Sequence, residues 1–219
     1  MNYRITTLTA QKRDPQRINV YLDGEFAFGI ARILAAWLRV GQEISDDKIS
    51  QLLEEDARET AYLQAIKFIQ YRPRTEAEVR QNLIKHTVPT PVVDHVIDRL
   101  KRNGLLDDAR FAQAWIENRN ERRPRSRRAL YFELHQRGID AAIIEQSLQA
   151  VDEQELAYQA AWKKARNIKN LEWKDFRQKM YAYLIQRGFN YEVTSQAVAR
   201  IWDEINTETH TRVDEEGLL

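Results

Sequence analysis

The segment Leu134-His135-Gln136-Arg137-Gly138-Ile139-Asp140 returns as Leu184-Ile185-Gln186-Arg187-Gly188-Phe189-Asn190, and more weakly as Leu83-Ile84-Lys85-His86-Thr87-Val88-Pro89. The three leucines stand 51 and then 50 residues apart, a period that signals tandem structural units. Val79, Leu130 and Met180 each lie four residues ahead of a leucine, on the same face of a helix. Past the break, Val93/Val96/Ile97/Leu100, Ile144/Leu148/Val151 and Val193/Ala197/Val198/Ile201 give the apolar face of a further helix. Ahead of it, Tyr62/Ile66/Ile69, Phe111/Trp115/Ile116 and Tyr158/Trp162/Ala165 give an earlier one. The chain therefore reads as three units of three helices.

The punctuation agrees. Thr75 with Glu78 three residues on is a capping box, and Ser126 takes the same place in the second unit. Gly138 and Gly188 end the middle helices, where a left-handed residue is needed. Thr90, Asp140 and Asn190 are the expected N-caps of the third helices, while Gly104 closes one unit and Asp107 opens the next. The repeats are placed at 57–106, 107–153 and 154–206. An acidic helical linker, 45–56, precedes them, and an acidic tail, 207–219, is expected to be disordered because it has little apolar content. A short three-helix unit leaves one face uncovered, so the expected fold is mainly α, an elongated array of stacked repeats.

Residues 1–44 read differently. Ile18, Val20 and Leu22 alternate with polar neighbours, and after Asp23-Gly24 so do Phe26, Phe28 and Ile30. Asp-Gly between two alternating runs marks a β-hairpin, because its turn needs positive φ. Arg4 to Leu8 is the candidate third strand, and Ile33 to Leu38 the candidate helix for the sheet to lean on.

Composition narrows the chemistry. The 219 residues are 43% hydrophobic and 31% charged, which is too apolar for a disordered chain, and no run approaches a membrane span. The absence of cysteine excludes disulfides, thiol catalysis and Cys-ligated zinc. The start of the chain lacks the apolar core of a signal peptide, so a cytoplasmic protein is expected. His86, His95, His135 and His210 show no metal-binding spacing, and there is no phosphate-binding glycine loop or serine elbow. Acidic runs such as Glu54-Glu55-Asp56 fit exposed helix faces. An enzyme finds no support here, and no cofactor is expected. The tryptophans Trp115, Trp162 and Trp202 read as core, while Trp37 and Trp173 have no clear place.

Lys+Arg number 34 against 33 Asp+Glu, so total charge predicts no partner. Its placement does. Arg119, Arg122, Arg123, Arg125, Arg127 and Arg128 face a single acid, Glu121, within ten residues. Cations at the start of a helix oppose its macrodipole, so Arg127 and Arg128 point to a bound anion there. The first unit repeats the theme with Arg72, Arg74 and Arg80, and the third with Lys163, Lys164, Arg166 and Lys169. The plain alternative is that such charges are solvated faces.

The hairpin Val20 to Phe28 and the runs Arg72-Pro-Arg-Thr-Glu-Ala-Glu-Val79 and Gly104-Leu-Leu-Asp-Asp-Ala-Arg-Phe-Ala112 resemble the bacterial RecX family. So does Arg123-Pro-Arg-Ser-Arg-Arg-Ala-Leu130 followed by Glu133 to Ile139, and the resemblance covers about residues 3–206 in order. The third unit departs from the Arg-Pro-Arg pattern at Trp173-Lys174-Asp175-Phe176, and the first has His86-Thr87 where Arg-Gly stands elsewhere. The resemblance implies a non-enzymatic modulator, mainly an inhibitor, of the RecA recombinase in recombination and the SOS response. It implies binding in the groove of the RecA–DNA filament, weak contact with single- or double-stranded DNA without sequence specificity, and a monomer that keeps off membranes. The expected contact residues are Arg72, Arg74, Arg119, Arg122, Arg123, Arg125, Arg127, Arg128, Arg137, Lys163 and Lys164. Two rivals are a helix-turn-helix DNA binder and a helical protein-interaction scaffold. The third helices are poor in side chains suited to base edges, which weighs against the first.

Overall fold

The computed structural model describes the backbone of residues 1–216 and the side chains through residue 207. The chain divides into two compact units, Met1–Leu106 and Asp107–Leu219.

Unit 1 opens with the strands β1 (Asn2–Ala10), β2 (Arg17–Leu22) and β3 (Glu25–Ala31), the single turn α1 (Arg32–Ala35) and the short β4 (Glu43–Ser45). The sheet is antiparallel in the order β3-β2-β1-β4. Asp23 and Gly24 turn the hairpin with φ of 50° and 94°. Ile5, Val20, Leu22 and Ile30 fill the inner face. Phe26 does not join them. A bulge between Val20 and Tyr21 pairs Val20 with Phe28 but Tyr21 with Phe26. The extra residue turns Phe26 to the other face, 58% exposed and edge-on to Tyr21.

Helix α2 (Asp46–Gln70) begins at Ser45, whose hydroxyl accepts from the Lys48 amide, and runs 25 residues without a break. The segment expected as a linker is thus the first half of repeat 1's own first helix. Ile49 and Leu52 on that half cover the sheet, together with Ala35 and Leu38. The Ile33–Leu38 segment forms only one turn of helix, so α2 is the main cover. Asp56 is not on an exposed face. It is 8% exposed, accepts from the Ala31 amide at 2.6 Å and pairs with Arg17 at 2.7 Å, tying α2 to the sheet.

The second half of α2 packs Ala61 and Ala65 against Val79 and Leu83 of α3 (Glu76–Lys85) and Val93, Val96, Ile97 and Leu100 of α4 (Thr90–Arg102). Thr75 and Glu78 close the capping box. Thr90 is not the cap of α4. Pro89 holds that position and Thr90 is already helical, since Pro91 suits the first turn, where its missing amide hydrogen is not needed.

Unit 2 holds α5 (Asp108–Arg122), α6 (Arg127–His135), α7 (Ala141–Leu148), α8 (Glu153–Ala165), α9 (Trp173–Gln186) and α10 (Tyr191–Glu216). Asp107, Ser126, Asp140 and Asn190 accept from amides at the starts of α5, α6, α7 and α10. Helix α10 continues through most of the segment expected as a disordered tail, and residues 217–219 lie outside the described residues. Repeats 2 and 3 share one core, centred on Leu130, Leu134, Phe176, Met180 and Leu184. The Ser126 amide donates to the Arg187 carbonyl across them.

Candidate functional site

Helix α5 ends in Arg119 and Arg122, and the linker Arg123-Pro124-Arg125-Ser126 leads into Arg127 and Arg128 at the start of α6. In the last turn of α5 a cation complements the macrodipole, so Arg119 and Arg122 have a structural reason to stand there. The start of α6 also has an anion already in place. The Arg127 amide donates to the Glu153 carboxylate of α8 at 3.2 Å, and the Ala129 amide donates to Ser126.

The arginines separate into two groups. Arg119 donates to Glu133 at 2.8 Å and Arg125 pairs with the same carboxylate at 3.0 Å. The Trp115 indole N–H joins them at 2.9 Å. Arg137 lies over the Trp115 ring, 3.9 Å from its centroid, and Arg119 lies at 4.6 Å. Arg127 donates from Nε to the Val151 carbonyl at 2.7 Å and from its terminal nitrogen to the carbonyls of Gln149 and Val151. It thereby satisfies acceptors left open at the end of α7.

Arg122, Arg123 and Arg128 form the other group. They are exposed, and among the described residues no carboxylate pairs with them; Arg128 only leans toward the Phe132 ring, 5.8 Å away. Lys163 reaches from α8 to the Glu121 carbonyl, in the last turn of α5 that also carries Arg122. Lys164 is half-buried against Tyr183.

In unit 1, Arg72 is engaged by Glu78 at 2.9 Å, and Arg74 lies 3.9 Å over the Phe68 ring. Arg80 bridges Glu76 and Asp94. Burial pushes the Glu76 carboxyl up, but hydrogen bonds and charge from Arg80 and Lys101 outweigh it and hold the carboxyl below the usual range. Within unit 2 the structure thus gathers Arg122, Arg123 and Lys163 at one helix end, and converts Arg119, Arg125, Arg127 and Arg137 into internal supports. Glu133, which holds Arg119 and Arg125, and the Gln149 and Val151 carbonyls, which hold Arg127, were not singled out in the sequence. Glu133 was within reach of it, because it sits on the arginine-led helix beside Leu134.

Among the described residues no group of three His, Cys, Asp or Glu is placed to hold a metal ion, and no helix is long and apolar enough to cross a membrane.

Models of the RecX family match in chain order: the regulatory protein RecX N-terminal domain over 3–45, and the first, second and third RecX three-helix domains over 61–100, 107–148 and 152–198. The regulatory protein RecX of Clostridium beijerinckii is 31% identical over 205 residues, which are 90% of this chain and 95% of that protein. That of Bacillus pumilus is 30% identical, over 98% of this chain and 82% of its own length. A crystal structure of regulatory protein RecX superposes with a TM-score of 0.71 at 26% identity, covering 89% of this chain and 98% of the other. The RecX structure from Lactobacillus salivarius, 20% identical with a TM-score of 0.60, shares the fold. Four domain matches in order and this coverage place the chain in the RecX family of regulatory proteins.

Proposed function

We propose that this protein regulates the RecA recombinase without catalysing a reaction, by seating in the groove of the RecA–DNA filament and slowing its turnover. It acts as a monomer in the cytoplasm, in recombination and the SOS response, and touches DNA without reading its sequence. Family membership supports RecA as the partner. The observation that carries the contact is the accessible set Arg122, Arg123 and Arg128, exposed and without a carboxylate partner among the described residues. Behind it, Arg119 and Arg125 share the one carboxylate of Glu133, so even the internal cluster retains excess positive charge. Guanidinium groups presented in this way suit phosphate oxygens or an acidic protein surface, and phosphate contacts position without specifying sequence.

The test is RecA ATPase turnover on single-stranded DNA with this protein added substoichiometrically. The wild type lowers turnover. The variant Arg122→Gln/Arg123→Gln/Arg128→Gln requires about tenfold more protein for the same effect, as loss of a few phosphate contacts implies. Turnover indifferent to the wild type overturns the regulatory reading. Equal potency of a folded triple variant moves the contact to other residues.

A further inference from the structure

The segment after β3 has two apolar sides. Ala35 and Leu38, 7% and 8% exposed, face the sheet. Ile33 on α1, and Trp37 and Val40 in the turns that follow it, are 65%, 85% and 63% exposed. The backbone holds them there. The Ala36 amide donates to the Arg32 carbonyl at 3.1 Å and the Leu38 amide to the Ala35 carbonyl at 3.0 Å, extending the turn of α1. An apolar stripe with a tryptophan at its centre has the composition of an interface hot spot. Between Glu25 and Glu43 the only charged residues are Arg32 and Arg39, both exposed.

We infer that Ile33, Trp37 and Val40 form a protein-docking knob whose acceptor is an apolar cleft edged by carboxylates. Trp37 fills the cleft, and Arg32 and Arg39 meet its acidic rim. Resting on the regulatory reading above, the cleft belongs to the recombinase filament. A second copy of this chain fits poorly, because an isologous pairing through these three residues would set the like-charged Arg32 and Arg39 of the two copies along one seam. Nucleic acid fits poorly too: Ile33 and Val40 offer no stacking surface, whereas single-strand platforms repeat aromatic rings along a basic groove.

The experiment compares wild type, Trp37→Lys and Trp37→Phe for binding to RecA filaments on single-stranded DNA, for binding to the bare DNA, and for sedimentation. Trp37 supports none of the core, so Trp37→Lys folds, which circular dichroism verifies. Trp37→Lys is expected to bind filaments at least about tenfold more weakly, the effect of losing one hot-spot side chain. Trp37→Phe restores most of that affinity, and neither variant changes affinity for bare DNA. Adding Arg32→Glu and Arg39→Glu to the wild type weakens filament binding in the same direction. Undiminished filament binding by Trp37→Lys overturns the knob while leaving the regulatory reading standing. Reduced binding of Trp37→Lys to bare DNA assigns the patch to nucleic acid, and wild-type dimers that this variant dissolves assign it to self-association; either result overturns the inference. A wild type that does not bind filaments removes the regulatory reading, and the knob's acceptor with it.

Discussion

Thr87 adopts at φ 60° the left-handed backbone that Gly138 and Gly188 adopt, at 77° and 90°, in the other two repeats. A β-branched residue there is strained, because its Cβ crowds the neighbouring carbonyl. Its hydroxyl recovers little, donating to the adjacent His86 carbonyl at 2.6 Å on an exposed turn. Thr87→Gly is therefore expected to stabilise unit 1 by about 1 kcal/mol, the scale of the relieved strain less the added freedom of the unfolded chain. Urea unfolding checks this through a higher midpoint at unchanged slope, and a lowered midpoint would refute the strain. The departure His86-Thr87 was plain in the sequence, since the repeat register puts it opposite Arg-Gly. The fates of the arginines were not. Arg119 finds Glu133 from 14 residues away, and Arg127 finds carbonyls 22 and 24 residues on. Residue spacing alone does not bring such partners together. The macrodipole bears on these residues with opposite sign: Arg119 and Arg122 close α5, where it favours a cation, whereas Arg127 and Arg128 open α6, where it does not.

Between elements, a tight constraint lies where the end of α9 meets the start of α6. A Cβ on Gly188 would stand 2.5 Å from the Ser126 hydroxyl oxygen and 3.1 Å from the Ala129 Cβ, and φ there is +90°. Gly104 shares the left-handed backbone at +66° but has nothing within 4 Å of its would-be Cβ. Gly104→Ala should then cost only backbone strain, about 1 kcal/mol. Gly188→Ala adds displacement of the Ser126 cap and should cost roughly 2–4 kcal/mol, by the sum of strain, lost cap and overpacking. Equal shifts in the two unfolding midpoints would show that the junction of repeats 2 and 3 yields freely. Gly188 was legible as a helix terminator, whereas its second role depends on a neighbour 62 residues earlier in the chain. The helices themselves were readable because each presents a continuous apolar face. What escaped was non-local: β4 is three residues long and exists only by pairing with β1. The fusion of the linker into α2 was available, since no Gly or Pro interrupts 42–72.

For the whole molecule, a formal charge of +1 hides a division between cations that hold the fold and cations that face solvent. The two kinds respond differently to salt. A cation that neutralises a phosphate releases a condensed counterion, so its removal flattens the dependence of binding on salt by about 0.7 per contact on single strands. A cation already paired with a carboxylate releases none when DNA binds. The triple variant at Arg122, Arg123 and Arg128 should thus lower the magnitude of the slope of log K against log salt by about 2 on single-stranded DNA. Arg119→Gln/Arg125→Gln should leave that slope nearly unchanged while lowering the unfolding midpoint, because it strips both cations from the half-buried Glu133. Fluorescence anisotropy titrations across a range of salt concentrations separate the two variants, with unfolding curves measured in parallel. If the Arg119/Arg125 pair flattened the slope and the exposed three did not, the guanidinium groups gathered on Glu133 would have to leave it on binding. Phosphate would then compete with an internal carboxylate, and the exposed arginines would be the solvated face that charge runs ordinarily form.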